Sequence, residues 1–375
     1  MPVYLDNAAT TPMRAEAVEA MLPFLRDRFG NPSGTHAVAR EARKALDEAR
    51  DVVAACLGAE PGEVVFTGGG TEADNLAIAG VHRLRPGPVV CSAVEHHAVL
   101  HACAALDGRV ANVTADGVVD LDALAGCLDA EVTLVSVMLV NNEVGVVQPW
   151  TGVVDVVRRV APRATLHTDA VAAFPWLDVA ALARPADLVA VSAHKFGGPK
   201  GVGALVVRRG VKVAPLLHGG GQERDRRSGT HNLAGIVAMA AAMRATVAER
   251  AEVTARVGAL RDRLADGLLA AVPGAVETGR RAEKVAGNCH VAFEGVESEA
   301  LLMLLDGAGI YASAGSACAS GTVEPSHVLA AMGVSRARAL GSLRLTLGRD
   351  TTAADIDVAL AAIPPAVARL RNHHL

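Results

Sequence analysis

The chain has 375 residues, 51% of them apolar and 20% charged, with a formal net charge of −4. That is ordinary globular composition at a length that asks for two units of structure rather than one. The balance of charge excludes a basic face for nucleic acid and an acidic tail, and no run of about twenty uninterrupted apolar residues offers a membrane span. Aromatic residues are scarce, so Ala, Val and Leu must fill the core. The start, Met1-Pro-Val-Tyr-Leu-Asp-Asn7, has neither the basic opening nor the apolar run of an export signal, and a cytoplasmic location is expected. The six cysteines, Cys56, Cys91, Cys103, Cys127, Cys289 and Cys318, form no CxxC pair and no zinc spacing, and are expected as free thiols.

Val3-Tyr-Leu5 is a short extended start, followed by the polar turn Asp6–Pro12. Helices are predicted over Ala15–Phe24 and Ala37–Leu57, with the Gly/Asn/Pro loop Phe29–His36 between them. Strands then alternate with helices. Strands are read at Val64–Thr67, Val89–Ser92, Val110–Thr114, Thr133–Val140, Ala164–Thr168, Asp187–Lys195 and Ala204–Val207. The intervening helices fall at Glu72–Leu84, Ala98–Leu106, Asp120–Leu128 and Val153–Val160. This alternation implies an α/β fold: a mostly parallel central sheet with helices on both faces. Two Ala-rich helical stretches, Ala234–Val247 and Ala251–Val272, are read as a link to a smaller α+β unit. That unit has strands at Cys289–Phe293 and Ser342–Leu347, a helix at Glu299–Leu305 and a helical C-terminal region. The division expected is 15–249 for the large unit, and 1–14 with 250–375 for the small one.

In parallel sheets ligands sit beyond the carboxyl ends of the strands. Gly68-Gly-Gly-Thr71, Glu95-His96-His97, Asn141-Asn-Glu143, Thr168-Asp169 and Ser192-Ala-His-Lys195 all fall there. A lysine at the end of a buried strand is pushed toward the neutral amine, which attacks carbonyls; this is what a Schiff-base lysine needs. The bland reading of Lys195 is a strand cap pointing into water. Gly68–Thr71 opens a helix whose N-terminus suits an anion, although Thr71 with Asp74 also fits a capping box. No P-loop and no dinucleotide fingerprint is present. Asp169 is either a partner for a pyridinium nitrogen or a helix cap. His96 suits stacking on a flat ring and proton transfer, and no third ligand makes a metal site of His96-His97. Cys318 lies among small residues, Ala312-Ser-Ala-Gly-Ser-Ala-Cys-Ala-Ser-Gly321, as a reachable thiol able to carry sulfur. The other five cysteines are read as core. Arg344, inside an apolar strand, awaits a carboxylate, either a substrate's or a buried ion-pair partner's.

Nine segments in order carry a family resemblance. They are Tyr4–Pro12, Gly30-Asn-Pro-Ser33, Phe66–Asn75, Glu95-His96, Val140–Gly145, His167-Thr-Asp169, Ser192–Lys195, Arg227-Ser-Gly-Thr230 and Gly315-Ser-Ala-Cys318. Together they resemble the cysteine desulfurases of the NifS/IscS type, which depend on pyridoxal 5′-phosphate (PLP). The likeness runs from Tyr4 to about Gly348. It implies the aspartate-aminotransferase-like PLP fold (fold type I), a homodimer, L-cysteine as substrate and a sulfur-acceptor protein as partner.

The resemblance also implies roles. Lys195 carries the cofactor and moves the substrate Cα proton. Gly70, Thr71, Ser192 and His194 hold its phosphate, with Thr230 supplied by the other subunit. His96 stacks on the ring, Asp169 pairs with its nitrogen, and Asn142 and Arg344 orient the substrate. Cys318 takes the sulfur as a persulfide and L-alanine leaves. One position departs from the pattern. The family has glutamine three residues after the aspartate, bonded to the cofactor's phenolic oxygen, and Ala172 stands there. The alternatives on the same scaffold are a selenocysteine lyase, a biosynthetic lyase or transaminase, and an activity-impaired sulfur-relay partner. The lyase and transaminase have no use for the Cys318 thiol.

Overall fold

The computed structural model describes residues 2–314 and 325–373. The first part of the chain forms β1 (Val3–Tyr4), α1 (Ala15–Arg26), α2 (Ala37–Cys56), β2 (Val64–Thr67), α3 (Gly70–Leu84), β3 (Val89–Ser92), α4 (His97–Ala104) and β4 (Arg109–Ala111). It continues through α5 (Leu121–Gly126), β5 (Leu134–Ser136), α6 (Trp150–Val160), β6 (Thr165–Asp169), α7 (Val179–Leu182), β7 (Leu188–Ser192) and β8 (Gly203–Val207). Then follow α8 (Leu233–Ala271), β9 (Ala275–Glu277), β10 (Asn288–Phe293), α9 (Ser298–Gly307), β11 (Ile310–Tyr311), α10 (His327–Ala331), α11 (Arg336–Leu340), β12 (Ser342–Thr346) and α12 (Ala353–His373).

Seven strands form one sheet in the order β2-β8-β7-β6-β5-β3-β4. Only β8 runs against its neighbours; every other pairing is parallel. The strands β2, β3, β5, β7 and β8 are buried along their whole length. Helices on both faces impose this, and it explains the Val-rich, non-alternating sequences. A second sheet, β12-β10-β9, is antiparallel. Its Cys289, Val291, Phe293, Leu343 and Leu345 point into a separate core with Val3 and Leu5 from the N-terminus. The other face, with His290 and Arg344 paired in register, turns toward the large sheet.

Several expectations change. The strand expected over Thr133–Val140 is confined to Leu134–Ser136, and β9 and β11 are additional to the expected strands. The strand ending in Lys195 stops at Ser192, and Ala193–Lys195 is a single 3-10 turn. The two Ala-rich stretches are one helix, α8, of 39 residues. No Pro or Gly interrupts Arg244–Val257, so helix propensity carries the chain through. At 1.5 Å per residue α8 is about 58 Å long. Its first half packs in the core of the large sheet and its second half in the other core.

Candidate active site

The residues singled out above converge on one cavity of about 600 Å³. Its base is the start of α3. The helix begins at Gly70, and Gly69 has a φ of 149°, a conformation that favours glycine. A Cβ on Gly203 of the neighbouring strand would lie 2.8 Å from the Gly69 carbonyl carbon, so glycine at 203 lets the strand pass. The predicted capping box does not form. Asp74 turns inward, fully buried, and the N-cap has no side-chain hydrogen bond. Glu72 Oε2 instead accepts from Gly68 N at 2.7 Å, while Glu72 Oε1 pairs with Arg227 at 2.8 Å. The first intrahelical bond is Ala73 N to Gly69 O. The amides of Gly70, Thr71 and Glu72 are thereby left for an anion, where the helix dipole favours one. Ser192 and His194 line the same end of the cavity.

Lys195 is half-buried at the middle of the cavity. Its Nζ donates to Ala9 O at 3.0 Å and to Ala8 O. Burial, and then the Arg344 charge, pull it down to about 8, against the opposing pull of Asp169 and Asp6. The neutral amine is therefore far more accessible near pH 7 than for an ordinary lysine. The strand-cap reading of Lys195 fails, since its amine faces the cavity rather than bulk water.

Asp169 closes β6, buried, with Oδ1 accepting from Val171 N at 2.8 Å. Burial raises its carboxyl, opposed by that amide and by Lys195. His96 lines the cavity and its ring is exposed to that open space, with the protein packed behind it. Burial first, then Lys195, hold it down to about 4, so it is neutral at pH 7. Its Nδ1 accepts from Ala98 N at 3.1 Å, which caps α4 and fixes the ring. His194 is likewise pushed down to about 4 by burial and Lys195.

Arg344 reaches the cavity from the middle of β12. It is 7% exposed, with Nη2 to Asp6 at 2.9 Å and Nη1 to Asn142 O at 3.3 Å; its Nε has no hydrogen-bond partner among the described residues. Arg344 is thus ion-paired to Asp6, and it also lines the cavity. Asn142 lines the cavity, while Asn141 is structural, capping Glu143 N at 2.9 Å and Val144 N at 2.8 Å.

Thr230 is exposed and does not line the cavity of its own chain. Cys318 lies outside the described residues. Cys91, Cys103 and Cys289 are buried as expected, but Cys56 and Cys127 are only part-buried, because each ends a helix at the margin of the core.

Sequence reasoning missed a cluster of buried acids behind Asp169. Glu95 accepts from Ser92 Oγ at 2.6 Å and Met138 N at 2.8 Å, leaving Oε2 without a partner. Burial pushes it up to about 8. Asp74 Oδ1 lies 3.5 Å from Nε2 of His167, a histidine whose Nδ1 meets Ser136 Oγ at 2.8 Å. Burial and the neighbouring Asp169 and Glu95 raise Asp74 well above its ordinary range. Burial and mutual repulsion disfavour charge on this group of carboxyls, and push the Asp74 and Glu95 carboxyls upward. Asp169, next to Lys195, is the one whose surroundings favour charge.

The family model described as Aminotransferase class-V matches residues 3–359. The chain belongs to the class-V aminotransferase family. It is 45% identical over 378 residues to the cysteine desulfurase IscS of Methanosarcina thermophila, covering 99% of this chain and 93% of that protein. It is 47% identical over 387 residues to the IscS-like cysteine desulfurase of Mycobacterium tuberculosis, covering 98% and 97%. Among solved structures it matches a NifS-like protein with a TM-score of 0.92 at 36% identity, over 98% of this chain and 100% of the other. A structure described as SspA in complex with cysteine matches with a TM-score of 0.79 at 31% identity, over 93% and 100%. Within its family this chain is a cysteine desulfurase of the NifS/IscS type with the fold type I architecture, and a PLP enzyme. The residues present fit that cofactor: a bare helix start for the phosphate, a lysine drawn toward neutrality, and a buried carboxylate opposite.

Proposed function

We propose that the chain moves the sulfur of L-cysteine onto Cys318, releases L-alanine and passes the sulfur to an acceptor protein. The observation that carries this is the convergence of Lys195, Asp169 and Arg344 on one cavity above the bare start of α3. One structural relative was solved with cysteine, which supports that substrate. PLP, when bound, supplies an electron sink for charge developing at Cα. Lys195 would hold the cofactor covalently and, once released, would move the Cα proton. Gly70, Thr71, Ser192 and His194 would take the phosphate, and Asp169 would pair with the ring nitrogen. His96 would stack on the ring. Asn142 and Arg344 orient the substrate, with Arg344 taking the carboxylate through its fork.

In the sulfur step, the Cys318 thiolate bonds to the sulfur of cysteine. The Cβ–S bond breaks, Cβ keeps the electron pair and gains a proton, and alanine and a Cys318 persulfide result. The step consumes no outside oxidant or reductant.

The exposure of Thr230 supports a homodimer in which it completes the phosphate site of the second copy. The two cores, sharing α8, support division into a large unit over 15–249 and a small one over 1–14 and 250–375. The free cysteines among the described residues fit a reducing compartment, and the cytoplasm is the proposed location. No helix among the described residues is long and apolar enough to cross a membrane.

The test is Cys318→Ser. The variant should stay yellow and still show a spectral response to L-cysteine, but lose alanine formation and the protein-bound persulfide. Replacing Cys56 or Cys127 should leave both intact. Alanine and sulfide released at the parent rate by Cys318→Ser would make the protein a lyase that needs no cysteine nucleophile.

A further inference from the structure

Behind Lys195, on the side away from the α3 start, lies a second cavity of about 90 Å³ between the two cores. It meets the first at Ala8, Asn142, Ala172 and Lys195, which line both. Its wall is apolar over most of its extent, through Trp176, Val253 and Leu347, but arginines break that wall.

Arg14 is 5% exposed. Its Nε donates to Phe196 O at 3.1 Å and its Nη2 lies 2.5 Å from Glu249 Oε1, a contact of charges rather than a directed hydrogen bond. Its Nη1 is buried with no hydrogen-bond partner among the described residues. Arg250, beside it in sequence to Glu249, has buried Nε and Nη2 with no partner either, and stands in no ion pair among the described residues. Its guanidinium carbon sits 5.3 Å from the centre of the Phe174 ring. Arg349 is paired with Asp350 at 2.9 Å. Among the charged groups of this wall, Glu249 sits on Arg14 and Asp350 on Arg349, while Lys195 and Arg250 stand in no ion pair among the described residues, and the acid whose charge reaches Arg250, Asp178, lies beyond ion-pair distance.

A buried guanidinium that keeps unpaired N–H groups is costly unless something accepts them. The occupant that answers both the arginines and the apolar wall carries one negative charge at one end and a short apolar body at the other. We propose that this cavity is a binding site for a small organic monocarboxylate, its carboxylate lying between Arg14 and Arg250 and its carbon chain against Trp176 and Val253. The site adjoins the cysteine site, sharing Asn142 and Lys195 at its rim, but Arg14 and Arg250 line this cavity alone, and the proposal does not depend on how the sulfur step is read.

Butyrate is the probe, and butyramide, of nearly the same shape without charge, is its control. Binding is measured by calorimetry on the PLP-loaded protein, in which the phosphate site is filled. Butyrate should bind, with butyramide at least tenfold weaker. Arg250→Gln should weaken butyrate at least tenfold. Arg14→Gln should do the same, and Val253→Phe, which fills the cavity without touching a charge, should block binding while the melting temperature reports an intact fold. Arg344→Gln should leave butyrate affinity within twofold of the parent. The proposal is overturned if butyramide binds as well as butyrate, or if Arg250→Gln and Val253→Phe both bind like the parent. It is also overturned if Arg344→Gln abolishes binding, which would place butyrate in the cysteine site, or if the parent binds none at tens of millimolar.

Discussion

The two sheets deliver functional groups in opposite ways. The seven-stranded sheet is covered on both faces, so no polar side chain can leave the middle of a strand without being buried. Its contributions, Gly70 and Thr71, Glu95 and His96, Asp169, and Ser192 with Lys195, all come from strand ends or the turns just beyond. The three-stranded sheet has one face on its own core and the other toward the cleft. It can therefore send Arg344 out from mid-strand, with Leu343 and Leu345 on either side pointing the other way. Parallel sheets confine chemistry to an edge, while a half-covered antiparallel sheet can present it from a face.

The sharpest way to break this contrast is at the strand edge. Lys195→Ala should remove the covalent hold on the cofactor and lower alanine formation by at least about a thousandfold. Borohydride reduction followed by peptide mapping should find the pyridoxyl group on Lys195 in the parent and none in the variant. A variant that forms alanine at the parent rate would show that the lysine is not the active group.

The face contribution should be smaller and of another kind. Arg344→Lys keeps the charge but loses the fork, at a cost of about 1.5 kcal/mol, or roughly tenfold in kcat/KM. Most of the loss should appear in KM for cysteine, since the contact is made before and during reaction alike. A fall in kcat with KM unchanged would assign Arg344 to the reacting centre instead.

The buried acids sharpen the comparison through pH. Glu95 is held up to about 8, against 4.5 as its ordinary value. Between those values the folded protein keeps a proton that the unfolded chain has lost, so this group's contribution to stability falls as pH rises through the window. Glu95→Gln cannot titrate. The urea midpoint of the variant should decline less than that of the parent between pH 5 and pH 8. Equal slopes would mean that Glu95 is ionised in the fold.

The smallest effect is expected at Ala172, which lines both cavities and leaves the passage between them open. Ala172→Gln supplies a donor where the family has one. It should shift the pH titration of the cofactor's visible absorbance by less than about one pH unit. An unchanged titration would mean that another group already fills the role.

The sequence by itself determined the strands of the large sheet and their order of appearance, because fully buried parallel strands must be short apolar runs bounded by Gly, Pro and polar residues; the short, part-exposed strands β9 and β11 carried no such signal. It also marked the edge groups as a set, because polar residues beyond the carboxyl ends of parallel strands converge on one place; taken singly, Lys195 could still be a strand cap and Asp169 a helix cap. The glycines at 68–70 marked a tight turn ahead of a helix. What it left open were questions of partnership. Whether Asp74 capped α3 or faced His167 depended on Glu72 taking the Gly68 amide first. Whether Arg344 met a substrate or an ion-pair partner depended on Asp6, 338 residues away in the chain. The acid cluster of Asp74, Glu95 and Asp169 comes from three separate strand–helix units, and Arg14 and Arg250 come to line one cavity only where the N-terminal segment packs beside α8. Burial and charge pairing depend on distance in space, which a linear pattern of residue types does not encode, so only the tertiary structure could decide them.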